Sequence, residues 1–465
     1  MEQRRCQSLY SQWRSVALGG RAEDFAVEDT RSGRRWTFRE LADWAESLPP
    51  AGEVTVAGGR GLAFIGEVLR AWRDGSVLVP VEAAEAQAQT RARTEAQAEA
   101  EEKGAPDQQG TEFGELAALP AAIGHVKTTS GSTGIPRRVL MTADQLAADA
   151  RSILRTMQLR DDWPNVAAIS LAHSYGFSNL VLPLLLHGIP LILMESPLPD
   201  ALRQVLARHP AVTVPAVPAL WRAWHAAGVL NGRVKLAISA GAPLTLDLER
   251  AVFESTGVKI HNFYGSSECG GIAYDRTITP RSDSRVAGSA MDGARLSVNT
   301  DSGVLEVRGD SVAEGYAVPD PALADHVFTT PDLAEITADG IVLLLGRTGE
   351  SILVAGRKIA PALVEERLLA LPGVRHCVVF GVPSADAARV EEIVAGVRLE
   401  AGVDLPSLRA AAARTLPGGW QPRHWFENGA LRPDVRGKIS RAAWRAWWLE
   451  EKNGTGIIPA GRGGG

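Results

Sequence analysis

Cysteine is scarce in this chain: Cys6, Cys269 and Cys377 are the only ones among 465 residues. Odd in number and far apart, they exclude a disulfide framework and suit a reducing compartment. A surplus of either charge is also missing, since 49 Lys and Arg face 54 Asp and Glu for a net charge of -5. That balance leaves no electrostatic footprint for a nucleic-acid partner. Long apolar runs are lacking too; the strongest, residues 180–194, is broken by Pro183, His187, Gly188 and Pro190 and is too short to span a bilayer. The opening Met1-Glu2-Gln3-Arg4-Arg5 has none of the apolar core of a secretion signal. The expectation is a soluble, cytoplasmic protein. What remains is an ordinary globular composition, 45% hydrophobic and 22% charged, in a chain too long for one core, so two or three domains are expected.

The most chemically distinctive stretch is residues 128–137, Thr-Thr-Ser-Gly-Ser-Thr-Gly-Ile-Pro-Arg. Five hydroxyl side chains and two glycines lie between apolar segments, 121–126 and 139–141, each short enough to be a strand. Gly131 and Gly134 permit backbone conformations that turn successive N–H groups toward an anion. The hydroxyls add donors, and Arg137 and Arg138 add positive charge at the mouth. A polyphosphate is the ligand this chemistry suits. It is not a P-loop, because no Gly-Lys-Ser/Thr follows at the required spacing.

Along the chain, residues 1–82 alternate apolar runs and helical patterns, the mark of a layered α/β region. Residues 83–117, rich in Ala, Gln, Glu and Arg, hold almost no large apolar side chains and are expected to form a solvated helix and a flexible loop. Thr142 then caps a helix, with Gln145 at the reciprocal capping position and Leu146, Ala150, Ile153, Leu154 and Met157 on one face. Residues 166–171 read as a buried strand ending at Ala172-His173-Ser174-Tyr175-Gly176-Phe177. A second βα rhythm over 191–264 sends strands 234–239 and 258–263 into Ala240-Gly241-Ala242-Pro243 and Tyr264-Gly265-Ser266-Ser267-Glu268. Ligands of α/β sheets bind at such carboxyl ends of strands. From about 285 the pattern changes to short strands, with 333–336 pairing with 341–345 across Asp339-Gly340. Helices over 361–371, 406–415 and 439–452 and strands over 374–382 and 393–399 make up a small α+β segment.

Taken in order, these motifs resemble the adenylate-forming superfamily: acyl- and aryl-CoA synthetases, the adenylation domains of peptide synthetases, and firefly luciferase. The residues that carry the resemblance are Thr129 to Pro136, His173 to Phe177, Ala240 to Pro243, Asn262 to Glu268, Thr330-Pro331-Asp332, Gly346-Arg347 through Gly356, and Gly437-Lys438-Ile439-Ser440-Arg441. The resemblance implies a large N-terminal domain over 1–346, built of layered α/β sheets with a small β-barrel-like part. It implies a small mobile C-terminal α+β domain over 347–465, with a hinge near Gly349. It also implies ATP-dependent activation of a carboxylic acid to an acyl-adenylate, then transfer to the thiol of CoA or of a carrier protein's phosphopantetheine. Thr129, Ser130, Gly131, Ser132, Thr133 and Gly134 would hold the β- and γ-phosphates, and Glu268 the magnesium. Tyr264 and Gly241, Ala242 and Pro243 would flank the adenine, beside Gly265, Ser266 and Ser267. Asp332 would take the ribose, with Arg347 near ribose and phosphate. Lys438 would stabilise charge developing between carboxylate and α-phosphorus, and Gly356 would shape the thiol channel.

Two departures from the family pattern stand out: Arg137 where relatives carry Lys, and Gly349 where they carry Asp or Lys. Relatives that activate amino acids place an Asp near 172; here Ala172 precedes His173, which favours an acid without an α-amine. His173, Tyr175 and Phe177 suit a flat aromatic or medium acyl group, and Gly270 and Gly271 are expected to leave room beside Glu268. Aryl and fatty acyl groups both remain open. So do a non-catalytic nucleotide or acyl sensor on the same fold and an adenylate-using enzyme that makes no thioester.

Overall fold

Thr142 opens the helix Ala143–Met157 by a reciprocal pair of bonds. Its hydroxyl accepts the Gln145 N–H at 3.4 Å, and the Gln145 side chain accepts the Thr142 N–H at 2.9 Å. Leu146, Ala150, Ile153 and Met157 are buried along one face, as the spacing requires. The computed structural model describes residues 6–59, 61–82, 114–129, 137–350, 352–354, 357–384, 390–433 and 439–452. Within it this helix packs against strands of both large sheets and joins them into one hydrophobic core.

The longer sheet has 14 strands, one half parallel except for the antiparallel edge strand Arg35–Thr37, the other half antiparallel. Phe25–Asp29, Leu191–Leu193, Asn165–Ala167, Val212–Ala216, Val234–Ser239 and Ile260–Ser266 run parallel in that spatial order. The helices between them cover the sheet, the right setting for continuously buried strands such as Val212–Ala216. Beyond Ile260–Ser266 come Gly270–Tyr274, Val286–Ala290, Ile341–Arg347, Val327–Ile336, Val304–Arg308 and Arg295–Val298, all antiparallel. The second sheet has five strands, with Ile123–Thr129 between Val77–Val81 and Arg137–Thr142. The hydroxyl-rich stretch therefore connects two neighbouring antiparallel strands.

The C-terminal part is built separately. Val374–Pro383, Glu391–Leu399 and His424–Glu427 form their own three-stranded sheet, with a hydrophobic cluster on each face. On one face Phe426 lies against the indoles of Trp444, Trp447 and Trp448 at ring-centre distances of 5.8, 5.0 and 5.2 Å. Those tryptophans come from the last helix, Arg441–Lys452, at its helical spacing. Gly396 makes room for the phenyl ring, since a Cβ there would stand 2.2 Å from Phe426 Cζ.

Two expectations need revision. The strand read over 166–171 stops at Ala167, and the chain turns into the short helix Ser174–Gly176 and a π-helical turn, Phe177–Val181. The turn depends on Gly176, whose added Cβ would lie 1.9 Å from the Ser170 carbonyl oxygen. The segment 83–117 falls mostly outside the described residues, but its end does contribute to a core. Leu116, in the 3-10 turn Gly114–Ala118, is buried against Val77, Val79 and Ile123.

Phe426→Ala removes the centre of the aromatic cluster and should cost about 3–5 kcal/mol. If the C-terminal sheet folds on its own core, denaturant unfolding of the variant should show an earlier transition for that part with the main transition unmoved. One cooperative transition shifted as a whole would contradict an independent unit.

Candidate active site

Three strand ends of the parallel sheet meet at one rim. Ser239 leads into Ala240, whose N–H bonds the Ala216 carbonyl at 3.3 Å. Ser267, after Ile260–Ser266, shares a hydroxyl–hydroxyl hydrogen bond of 2.7 Å with Ser174, after Asn165–Ala167. Gly241, at φ +85°, sits 3.5 Å from Val217 measured from where its Cβ would be.

On the antiparallel side, register brings two charges together. Asp332 and Arg347 are directly opposite in the pair Val327–Ile336 and Ile341–Arg347. Arg347 Nε donates to Asp332 Oδ1 at 2.8 Å, and the Tyr264 hydroxyl donates to Oδ2 at 2.6 Å. The Asp332 N–H is tied to the Thr330 hydroxyl at 3.1 Å. Asp332 is buried, so both carboxylate oxygens are held by neighbours of known direction. Burial first, and then the Asp332 charge, push the Tyr264 phenol well above the usual tyrosine range. Burial alone would lower the Arg347 pKa, but Asp332 outweighs it and the guanidinium stays charged.

Glu268 is positioned from three directions. Its N–H donates to Ser266 Oγ at 3.1 Å, its carbonyl accepts the Ala313 N–H at 2.8 Å, and its Oε1 accepts the Tyr316 hydroxyl at 2.9 Å. Tyr316 belongs to a short strand paired with Val139, so it ties Glu268 to the second sheet. No sequence motif marked Tyr316. Arg137 lies over its ring at 4.0 Å and is ion-paired with Asp320, while Arg138 is paired with Glu115. The positive charge expected at the loop mouth is thus already matched by carboxylates.

The residues expected to line the acid pocket divide into two groups. His173 is half-exposed, with Nε2 3.2 Å from Glu82 Oε1, a partner at the end of Val77–Val81 that the sequence reading passed over. The Tyr175 hydroxyl is taken by the Ile238 and Ala216 carbonyls at 3.1 and 3.4 Å, bracing two strands. Phe177 is a correction: it is buried in the core against His125 and Phe64 at ring-centre distances of 4.6 and 6.4 Å. The room expected beside Glu268 is also filled. A Cβ on Gly270 would stand 2.1 Å from Asp149 Oδ1, and one on Gly271 would stand 2.8 Å from Met291 Cε. Ser130, Gly131, Ser132, Thr133, Gly134, Gly356 and Lys438 lie outside the described residues. Thr129 ends its strand opposite Arg137.

A family model described as "AMP-binding enzyme" matches residues 71–317. A Mycobacterium tuberculosis protein described as "Probable 2-succinylbenzoate–CoA ligase" is 30% identical over 334 residues, 68% of this chain and 82% of its own length. The sulfoacetate–CoA ligase of Cupriavidus necator is 29% identical over 342 residues, 69% of this chain and 66% of its own. Among solved structures, ATP-bound MatB from Rhodopseudomonas palustris superposes with a TM-score of 0.78 at 22% identity, covering 95% of this chain and 99% of that one. That likeness speaks for the fold: layered sheets and a small C-terminal domain.

Asp332→Asn keeps the shape of the Tyr264 contact and removes its charge. Burial, the larger cause, stays in place, so the Tyr264 phenol should ionise at lower pH than in the wild type yet above an ordinary tyrosine. A high-pH absorbance titration, with Tyr264→Phe to identify the band, checks this. An unmoved Tyr264 transition would mean that the contact does not exist in solution.

Proposed function

We propose, on the premise that this chain belongs to the AMP-binding enzyme family, a division of labour among its residues in making an acyl-adenylate and then a thioester. The enzyme activates a carboxylic acid with ATP, releases pyrophosphate, and passes the acyl group to CoA. The observation that carries the assignment of roles is the Tyr264–Asp332–Arg347 constellation, adjoining Glu268, where the two halves of the long sheet meet.

Asp332 binds the ribose. Each of its oxygens already takes one protein donor, and each retains a lone pair for a ribose hydroxyl. Tyr264 and the turn Gly241, Ala242 and Pro243 flank the adenine, and Arg347, aimed by Asp332, faces the phosphates. The loop from Thr129 to Gly134 grips the β- and γ-phosphates with Gly265, Ser266 and Ser267 opposite. Glu268 Oε1 is engaged by Tyr316, and Oε2 has no hydrogen bond among the described residues. That suits magnesium, which would take one carboxylate oxygen here and the rest from phosphate and water; among the described residues no three His, Cys, Asp or Glu converge on a metal position. The ion when bound neutralises phosphate charge. Lys438 supplies the cation at the attacked α-phosphorus.

The acid is aryl or medium acyl and carries no α-amine. Ala172 offers no carboxylate, and Glu82 at the same rim is engaged with His173. The acceptor thiol is CoA, or the chemically equivalent phosphopantetheine of a carrier protein. The chain divides at 346–347, and the C-terminal part turns about Gly349 between the two half-reactions. Thr348 is held to the large part by two bonds to the Pro331 carbonyl, 2.7 Å from its N–H and 3.1 Å from its hydroxyl. Glu350 is held to Arg441 of the last helix at 2.5 Å. Gly349 stands between these anchors at φ +77° with open space where a Cβ would be.

A panel of carboxylic acids with ATP, read by pyrophosphate release with and without CoA, tests the reading. Lys438→Ala should lose about 3 kcal/mol of transition-state stabilisation in adenylation, ~10²–10³ in rate, and far less in thioester formation from synthetic acyl-adenylate. Equal losses in both would remove Lys438 from the first step. Gly349→Pro cannot keep the positive φ, since proline holds φ near roughly -65°. One half-reaction should survive within about tenfold while the other collapses. Wild-type rates in both would place the pivot elsewhere.

A further inference from the structure

Asp149 lies on the apolar face of the helix Ala143–Met157 and is fully buried. It is spoken for by backbone and hydroxyl: Oδ2 accepts the Ser178 hydroxyl at 2.5 Å, and Oδ1 accepts the Gly271 N–H at 3.3 Å. Oδ1 also occupies the volume next to Gly270, 2.1 Å from where a Cβ would be. Gly270 has φ +69°, a conformation for which glycine alone carries little strain. The carboxylate thus replaces a side chain at the turn that follows Glu268 and Cys269.

A second buried charge, Lys127, lies on the strand Ile123–Thr129 and makes no ion-pair contact with Asp149. Lys127 is 4% exposed, belongs to the strand that runs into the hydroxyl-rich stretch, and its ammonium has no hydrogen-bond partner among the described residues. Burial pulls its pKa down, and Asp149 is the strongest of the negative groups opposing that, with Glu268 also among them. A buried ammonium and a buried carboxylate each become costly when the other is removed. By geometry, Asp149 ties the helix Ala143–Met157 to the turn that follows Glu268.

We propose that Asp149 is a positioning residue of this active site: it sets the 268–271 turn, and through it the Glu268 carboxylate, relative to the helix Ala143–Met157. This rests on the role given to Glu268 above. Asp149 binds the backbone N–H three residues after Glu268, in a space kept open by glycine. Its loss should be read in how Glu268 meets magnesium-ATP rather than in the whole reaction.

Asp149→Asn retains an acceptor for Gly271 and removes the carboxylate that acts most strongly on the buried Lys127; Lys127→Met/Asp149→Asn removes the buried ammonium as well and serves if the single variant folds poorly. The melting-temperature rise on adding ATP is measured across a magnesium titration, alongside KM for ATP and kcat in pyrophosphate release. Asp149→Asn should shift the half-effective magnesium concentration and the KM for ATP upward about tenfold, with kcat at saturation changed less than threefold. The double variant should recover melting temperature but not the magnesium dependence. A lower melting temperature with wild-type magnesium dependence in both variants would make Asp149 structural only and overturn the proposal. A wild-type protein with no ATP-induced shift and no pyrophosphate release would instead overturn the role of the site itself.

Discussion

Ile260–Ser266 has to satisfy two ladders of opposite sense. Its first half, Ile260 to Asn262, pairs in parallel with Ala237 to Ser239, and its second half pairs antiparallel with Gly270–Tyr274. The two patterns space their hydrogen bonds differently, so the strand leaves one partner as it takes up the next. At that changeover the parallel neighbour turns away through Ala240 and Gly241, and a rim opens where strand ends and crevice coincide. Tyr264 sits just past the changeover, and Glu268 in the tight turn that follows. Gly265 keeps the turn tight, because a Cβ there would come within 2.7 Å of the Gly270 carbonyl oxygen.

A buried charge network holds this junction from behind. Lys259 pairs with Glu249 and Asp275, and Arg281 Nε donates to Glu249 at 2.9 Å. Arg281 also donates to the Leu244 and Val286 carbonyls at 2.7 and 2.8 Å. It thereby connects the turn after Pro243 to the first strands of the antiparallel half. Such groups add little stability over a packed apolar core, but truncating one leaves the others buried and unpaired. The arrangement of the rim is consequently tied to a charge set in which no member moves alone. Asp149 imposes a similar constraint on the turn after Glu268 through Gly271.

Features decided within a few residues were legible in the chain. The Thr142–Gln145 cap and the amphipathic helices have the bounds their spacing indicates, within a residue or two, and the hairpin turns at Asp339-Gly340 as read, though its first strand begins at Val327 rather than at 333. The pairing that sets Asp332 opposite Arg347 was not legible: Ile336 to Ala334 face Val342 to Leu344, a register that would bring Asp332 opposite Gly346, and a bulge at Leu333–Ala334 moves it to Arg347. Tyr316, Glu82 and Lys127 were not legible. The partners of Tyr316 and Glu82, Glu268 and His173, are 48 and 91 residues away in sequence, and Asp149, the carboxylate that acts most strongly on Lys127, is 22 residues on. Asp149 did leave a trace, as a carboxylate on a helix face otherwise made of Leu146, Ala150 and Ile153.

By itself, the sequence determined which chemistry is available: hydroxyls and glycines before Arg137, acceptors at Glu268 and Asp332, cations at Arg347 and Lys438, and the membership of a family that uses them. Those are properties of residue type and order, and they need no fold to be stated. Only the tertiary structure decided how they are spent. Phe177 went to the core, packed against His125 and Phe64 rather than facing the rim. Arg137 was claimed by Asp320 and Tyr316, and the space beside Gly270 by Asp149. Each outcome follows from distant segments competing for the same volume and the same charge, and that competition is settled only when the sheets are packed together.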